Sequence, residues 1–159
     1  MEDQRRDPRN RLRSWRSNRR LRLASYPHDR PVHVQIGTQS KQPHFKDPFL
    51  AGVVLGLTAG HPLTLAACVM PDHLHWVLTS ATELPSTVGA FKSKTTVLAR
   101  RCGRNERIWQ RSFFDHVVRA SEDLRALVDY VLANPHRAGL IRPGETYPYS
   151  VLWKSRFPG

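Results

Sequence analysis

Cysteine, acidic side chains and long apolar runs are all scarce in this chain, and each shortage removes a class of protein. Two cysteines in 159 residues, Cys68 and Cys102, cannot build a disulfide framework, which points to a reducing, cytoplasmic setting. No apolar stretch approaches the ~18 residues that a membrane span requires. The charged N-terminal stretch also argues against a secretory signal, so no membrane partner is expected. Thiolates do not cluster, which disfavours a closed structural zinc site. Glycine-rich phosphate loops of the kind that open nucleotide-binding βαβ units are missing as well. Acidic residues number 13 against 25 lysines and arginines, a formal net charge of +12. A field of that sign attracts polyanions, so nucleic acid is the first partner to consider, ahead of a generally basic protein with no such partner.

What is present divides near residue 30. Residues 1–30 contain the run RRDPRNRLRSWRSNRRLR, dense in arginine, interrupted by Pro8 and without apolar periodicity. Such a composition predicts a flexible arm whose contacts with phosphates would be salt-sensitive and blind to sequence. Residues 31–159 form one domain's worth of chain, long enough to bury a core.

Within that domain PVHVQIGTQ alternates Val32, Val34 and Ile36 with His33, Gln35 and Gly37, the pattern of a half-buried strand. DPFLAGVVLGLTAG predicts a helix capped by Asp47, with Pro48 at its first position and Gly60 near its end. LTLAACVM and HLHWVLT flank Pro71 and Asp72, which predicts a tight antiparallel hairpin buried on both faces apart from its histidines. LPSTVGAFKSKTTVLARRC predicts a second helix and SFFDHVVR a further strand. SEDLRALVDYVLANP predicts a helix capped by Ser121, with Leu124, Leu127, Val128, Val131 and Leu132 as its apolar stripe. The sum is an α+β fold, a small antiparallel sheet with helices packed against it.

His73 and His75 are the chemical anomaly. Alternate residues of a strand share a face, and their Cα atoms stand about 6 to 7 Å apart at ~3.3 Å per residue. Neutral imidazoles held that way can lean onto one cation. The ordinary alternative for an isolated His-x-His is two rings satisfied by backbone carbonyls. On the last helix Tyr130 and Asn134 are one turn apart, at the flank of the apolar stripe, where side chains can reach a cleft beside the core.

VMPDHLHWVL, WQRSFFDHVVR and DYVLANPHRAGL, in that order and at those separations, resemble the REP-associated tyrosine transposases, single-strand DNA transposases of the HUH class. The resemblance runs from about Pro31 to about Tyr149. It implies a ferredoxin-like HUH architecture with the helices against one face of the sheet. It also implies His73 and His75 as a metal-binding pair, Asn134 as third ligand, Tyr130 as nucleophile, Mg2+ or Mn2+ as cofactor, and a 5′-phosphotyrosine intermediate on single-stranded or hairpin DNA. Asp72 stands where the family usually has asparagine, which adds negative charge beside the pair. Lys92, Lys94, Arg100, Arg101 and Arg137 are candidates for phosphate contacts. Trp109 and the Phe113/Phe114 pair are candidates for stacking on unpaired bases, against the commoner role of core packing. No small-molecule substrate is expected, and monomer and dimer stay open.

Three rivals compete. A histidine-triad nucleotide hydrolase also carries alternating histidines, but Trp76, Val77 and Leu78 follow here in place of its third histidine. A hairpin-binding relative that no longer cuts would keep the fold without the chemistry. A structural basic protein would depend on the arm alone.

Overall fold

The computed structural model describes residues 29–80, 82–120 and 122–157. Almost all of the arginine-rich arm, together with Ser121, lies outside them. Strand β1 spans Val32–Gly37, helix α1 Pro48–Ala59, β2 Thr64–Met70, β3 His73–Leu78, α2 Leu84–Arg101, β4 Phe114–Val117 and α3 Leu124–Leu132. The one-turn helix α4, Asn134–Arg137, and the short strand β5, Ser150–Leu152, complete the order. The five strands form one sheet in the order β4-β1-β3-β2-β5, and every neighbouring pair is antiparallel.

The β2–β3 hairpin is the middle of this sheet. Its turn holds only Pro71 and Asp72, since Met70 pairs with His73. Asp72 offers its carbonyl to both the amide and the hydroxyl of Thr38, and Pro71 offers its own to the amide of Phe45. The register then assigns the faces. Leu74, Trp76 and Leu78 lie opposite Ile36, Val34 and Val32 of β1, and this side joins Leu50, Val54, Val88 and Phe91 of α1 and α2 in the larger core. Trp76 is its largest fully buried side chain; its indole N–H donates to the Thr64 hydroxyl at 2.8 Å.

The other face carries a second, smaller core. Leu127, Val128 and Val131 of α3 pack on Ala66, Cys68, Met70 and Val77. The helices therefore cover both faces of the sheet, not one as the resemblance implies, because α3 has an apolar stripe of its own to bury. On the polar side of β1, His33 is 3 % exposed rather than turned to solvent, while Gln35 and Gly37 are half-buried.

Caps behave as local chemistry demands. Asp47 caps α1 by accepting from the Phe49 amide at 2.9 Å. α3 is capped by Asp123, whose carboxylate accepts from the amides of Arg125 and Ala126; the expected cap, Ser121, is displaced because the helix begins two residues later than read. β5, one strand beyond those expected, edges the sheet by pairing with β2.

Asp47 also binds the guanidinium of Arg104, just past the end of α2, through Nη2 and through Nε at 2.6 Å. One carboxylate thus caps α1 and ties α2 to it. Asp47→Ala should lower unfolding stability by about 1 to 2 kcal/mol, the usual worth of an N-cap together with a partly exposed ion pair. Urea denaturation beside an Arg104→Ala control separates the two contributions, and an unchanged midpoint would refute both.

Candidate functional site

α3 covers only part of the sheet's second face. The rest is left as a cleft of about 660 Å³ between β1, β3 and β4 on one side and the α3–α4 junction on the other. Its lining includes His33, His73, His75, Tyr130, Asn134 and Arg137. The residues singled out as metal pair, third ligand and nucleophile therefore share one cavity.

The histidine pair converges as strand parity requires. Nε2 of His73 lies 3.1 Å from Nε2 of His75, with the rings edge to face. Each ring is held from behind by a different residue. Nδ1 of His73 meets the Asp72 carboxylate at 2.5 Å, and Nδ1 of His75 meets Nε2 of His33 at 2.9 Å. The departure at Asp72 thus gives the first histidine a charged hydrogen-bond partner. Two ring nitrogens this close, each with its second nitrogen engaged, could hold one cation between them.

On the helical side Asn134 opens α4 after a break at Ala133. Its Nδ2 donates to the carbonyls of Tyr130 and Val131 at 3.3 and 3.2 Å. Its Oδ1 accepts from Nη2 of Arg137 at 3.0 Å. The same Nη2 also donates to the Tyr130 carbonyl, and the guanidinium lies 3.8 Å from the centre of the Tyr130 ring. Arg137, a candidate phosphate contact, thus clamps tyrosine and asparagine together at the cleft wall.

The other basic candidates are dispersed. Lys92 donates to the carbonyls of Gln110, Arg111 and Ser112, stapling the segment that leads toward β4. Lys94 lines a separate cleft beneath the opposite face, beside Trp76 and His61. Arg100 and Arg101 are exposed at the end of α2. Among the stacking candidates Trp109 and Phe113 are buried, while Phe114 is half-buried and lines the cleft. Sequence reasoning missed His33, Lys41 and Gln110 as cleft residues. The alternation in HVQ placed His33 on the polar face of β1, but only its pairing beside β3 brings it to His75.

Burial governs the charge state of the inner rings. His33 is lowered to about 3, first by burial and then by the neighbouring His116 and His73. His75 is also held well below the usual histidine range, by burial, by His33 and His73, and by Arg137. Both rings are neutral at ordinary pH, the form in which a ring nitrogen can accept a proton or a metal.

No protein-family model matches the chain. Over 104 residues it is 30% identical to a putative REP-associated tyrosine transposase of Haemophilus influenzae, covering 55% of this chain and 57% of that protein. Over 88 residues it is 31% identical to the REP-associated tyrosine transposase of Escherichia coli, covering 53% and 50%. The chain spans about half the length of these curated relatives. A solved structure of a REP-associated tyrosine transposase bound to a REP hairpin matches with a TM-score of 0.64 at 22% identity, over 90% of this chain and 92% of that one. The α+β fold is common to both.

The buried rings make stability depend on pH. In the unfolded chain a histidine takes up its proton near 6.5, whereas folded His33 does so only near 3. Its neutral form therefore contributes fully above pH 6.5, and stability is lost as pH falls from there toward 3, at up to ~1.4 kcal/mol per pH unit. Urea midpoints of the metal-free protein should drop between pH 7 and pH 5, and His33→Gln should shrink that drop. An equal drop in both proteins would contradict the assignment.

Proposed function

We propose that this chain is a metal-dependent single-strand DNA endonuclease and strand-transfer enzyme of the REP-associated tyrosine transposase type, acting on hairpin DNA. The observation that carries the proposal is the meeting of His73, His75, Tyr130 and Asn134 in one cleft. The two relatives' names and the fold shared with the hairpin-bound transposase support the choice of substrate.

His73 and His75 through Nε2, and Asn134 through Oδ1, are the residues that would hold Mg2+ or Mn2+. The donor set fits such an ion: two neutral imidazoles and an amide oxygen, with no thiolate. Among the described residues no three His, Cys, Asp or Glu side chains are arranged to hold a metal ion, and the third donor that the resemblance implies is the amide of Asn134. When bound, the ion would neutralise phosphate charge and orient the phosphodiester.

The chain's own residues do the rest. Tyr130 attacks phosphorus through its phenolic oxygen, its proton passing to water as the new P–O bond forms. The bond from phosphorus to the 3′ oxygen breaks, and that oxygen leaves as a hydroxyl once protonated. The product is a 5′-phosphotyrosine that a 3′ hydroxyl can attack in turn, rejoining the strand. Arg137 holds Tyr130 and Asn134 in register before attack. Lys41 and Arg137 supply positive charge at the cleft for the phosphate backbone. Cys68 and Cys102 are both free thiols, which supports a cytoplasmic setting. No helix among the described residues is long and apolar enough to cross a membrane.

Incubation with Mn2+ and labelled single-stranded hairpins should give a protein–DNA adduct that survives a denaturing gel. Tyr130→Phe and added chelator should each eliminate it. An adduct that persists in Tyr130→Phe would reassign the nucleophile. Hairpin binding without any adduct would favour a relative that grips DNA but no longer cuts it.

A further inference from the structure

His33 has no role in the reaction as described, yet it is buried in β1 with its ring stacked 5.1 Å from that of His75, at 22° between planes. Its Nε2 lies 2.9 Å from Nδ1 of His75. Its own Nδ1 is buried without a hydrogen-bond partner among the described residues. Those contacts restrict what His75 can do.

A hydrogen bond between two neutral imidazoles can run in either direction. If His33 donates from Nε2, His75 carries its proton on Nε2. That N–H then points at Nε2 of His73, and His75 has no lone pair to offer the cleft. If His75 donates from Nδ1 into Nε2 of His33, Nε2 of His75 is bare and faces the bare Nε2 of His73. The two arrangements hold the same number of protons. In passing from the first to the second, the proton between the rings crosses to His75, the one on His75 Nε2 leaves to water, and Nδ1 of His33 takes one up.

Only the second arrangement gives the cleft two ring nitrogens that can bind a cation. We propose that His33 is a positioning residue: by accepting from Nδ1–H of His75, it fixes the orientation and tautomer in which His75 can serve as a ligand. The inference rests on the metal-dependent reading above and deepens it. Asp72 stands in the same relation to His73, so each ligand has its own partner, one a carboxylate and the other a buried imidazole.

The test is Mn2+ binding to the full chain, followed by electron paramagnetic resonance and calorimetry. His75→Ala should abolish binding. His33→Leu, which cannot accept a hydrogen bond, should weaken it about 10- to 100-fold, the usual effect of removing such a partner. His33→Gln, whose amide oxygen can accept in place of Nε2, should recover most of the loss, and metal-free hairpin affinity should be the same in all three His33 proteins. If His33→Leu binds Mn2+ like the wild type while His75→Ala does not bind, the positioning role is overturned and the metal site stands. If the wild type binds no Mn2+, both fall. A measurement that needs no variant is 15N NMR of histidine-labelled protein loaded with diamagnetic Zn2+. The 15N–15N coupling across the hydrogen bond should appear with its proton on Nδ1 of His75; a proton on His33 Nε2 would overturn the proposal.

Discussion

The pairing of Met70 with His73 across a two-residue turn is the constraint on which the rest of the molecule depends. Side chains of a strand alternate, so this single pairing decides that Leu74, Trp76 and Leu78 enter the main core while His73 and His75 face the other way. A slip of one residue would drive two imidazoles into the apolar layer under α1 and α2 and put an indole in the cleft. The chain guards against this slip from outside the hairpin. Thr38 and Phe45, both on the segment that follows β1, hydrogen-bond the two turn carbonyls and so anchor the turn against that segment.

The same parity explains why the site combines rigidity with access. The imidazoles sit on a central strand flanked by β1 and β2, where backbone movement would break ladders on both sides. Tyr130 and Asn134 instead come from a layer attached by one apolar stripe and interrupted at Ala133. Under the proposed function, the two imidazole donors would be carried by the most constrained element, and the nucleophile and the third donor, Asn134, by a more lightly attached one. Phosphoryl transfer can use that division, since the electrostatic groups must be preorganised while the attacking group must approach and withdraw.

Much of this was legible in the residues themselves. The hairpin could be read from Pro71 and Asp72 between two apolar runs, α1 from Asp47 and Pro48, and the shared direction of His73 and His75 from period two alone. What could not be read depends on neighbours that local pattern does not encode. His33 looked like the wet side of a half-buried strand, because nothing in PVHVQIGTQ reveals that β1 lies between β4 and β3. Ser121 and Asp123 are both good caps, and the choice fell to the carboxylate that reaches the amides of Arg125 and Ala126. β5 has only three residues, too few to show a period. Lys92 read as a free cation because its carbonyl partners lie 18 to 20 residues further along the chain.

Arg137 touches the phenol ring, the carbonyl of the same tyrosine and the oxygen of Asn134 with one planar group. Both of its hydrogen bonds run through Nη2, which leaves the Nε and Nη1 hydrogens for an incoming anion. A negatively charged visitor that pairs with those hydrogens would dock beside the aromatic face and the amide oxygen without displacing the guanidinium. Under the proposed function, a nucleic-acid backbone, the phenol and the amide would thereby meet on one planar side chain.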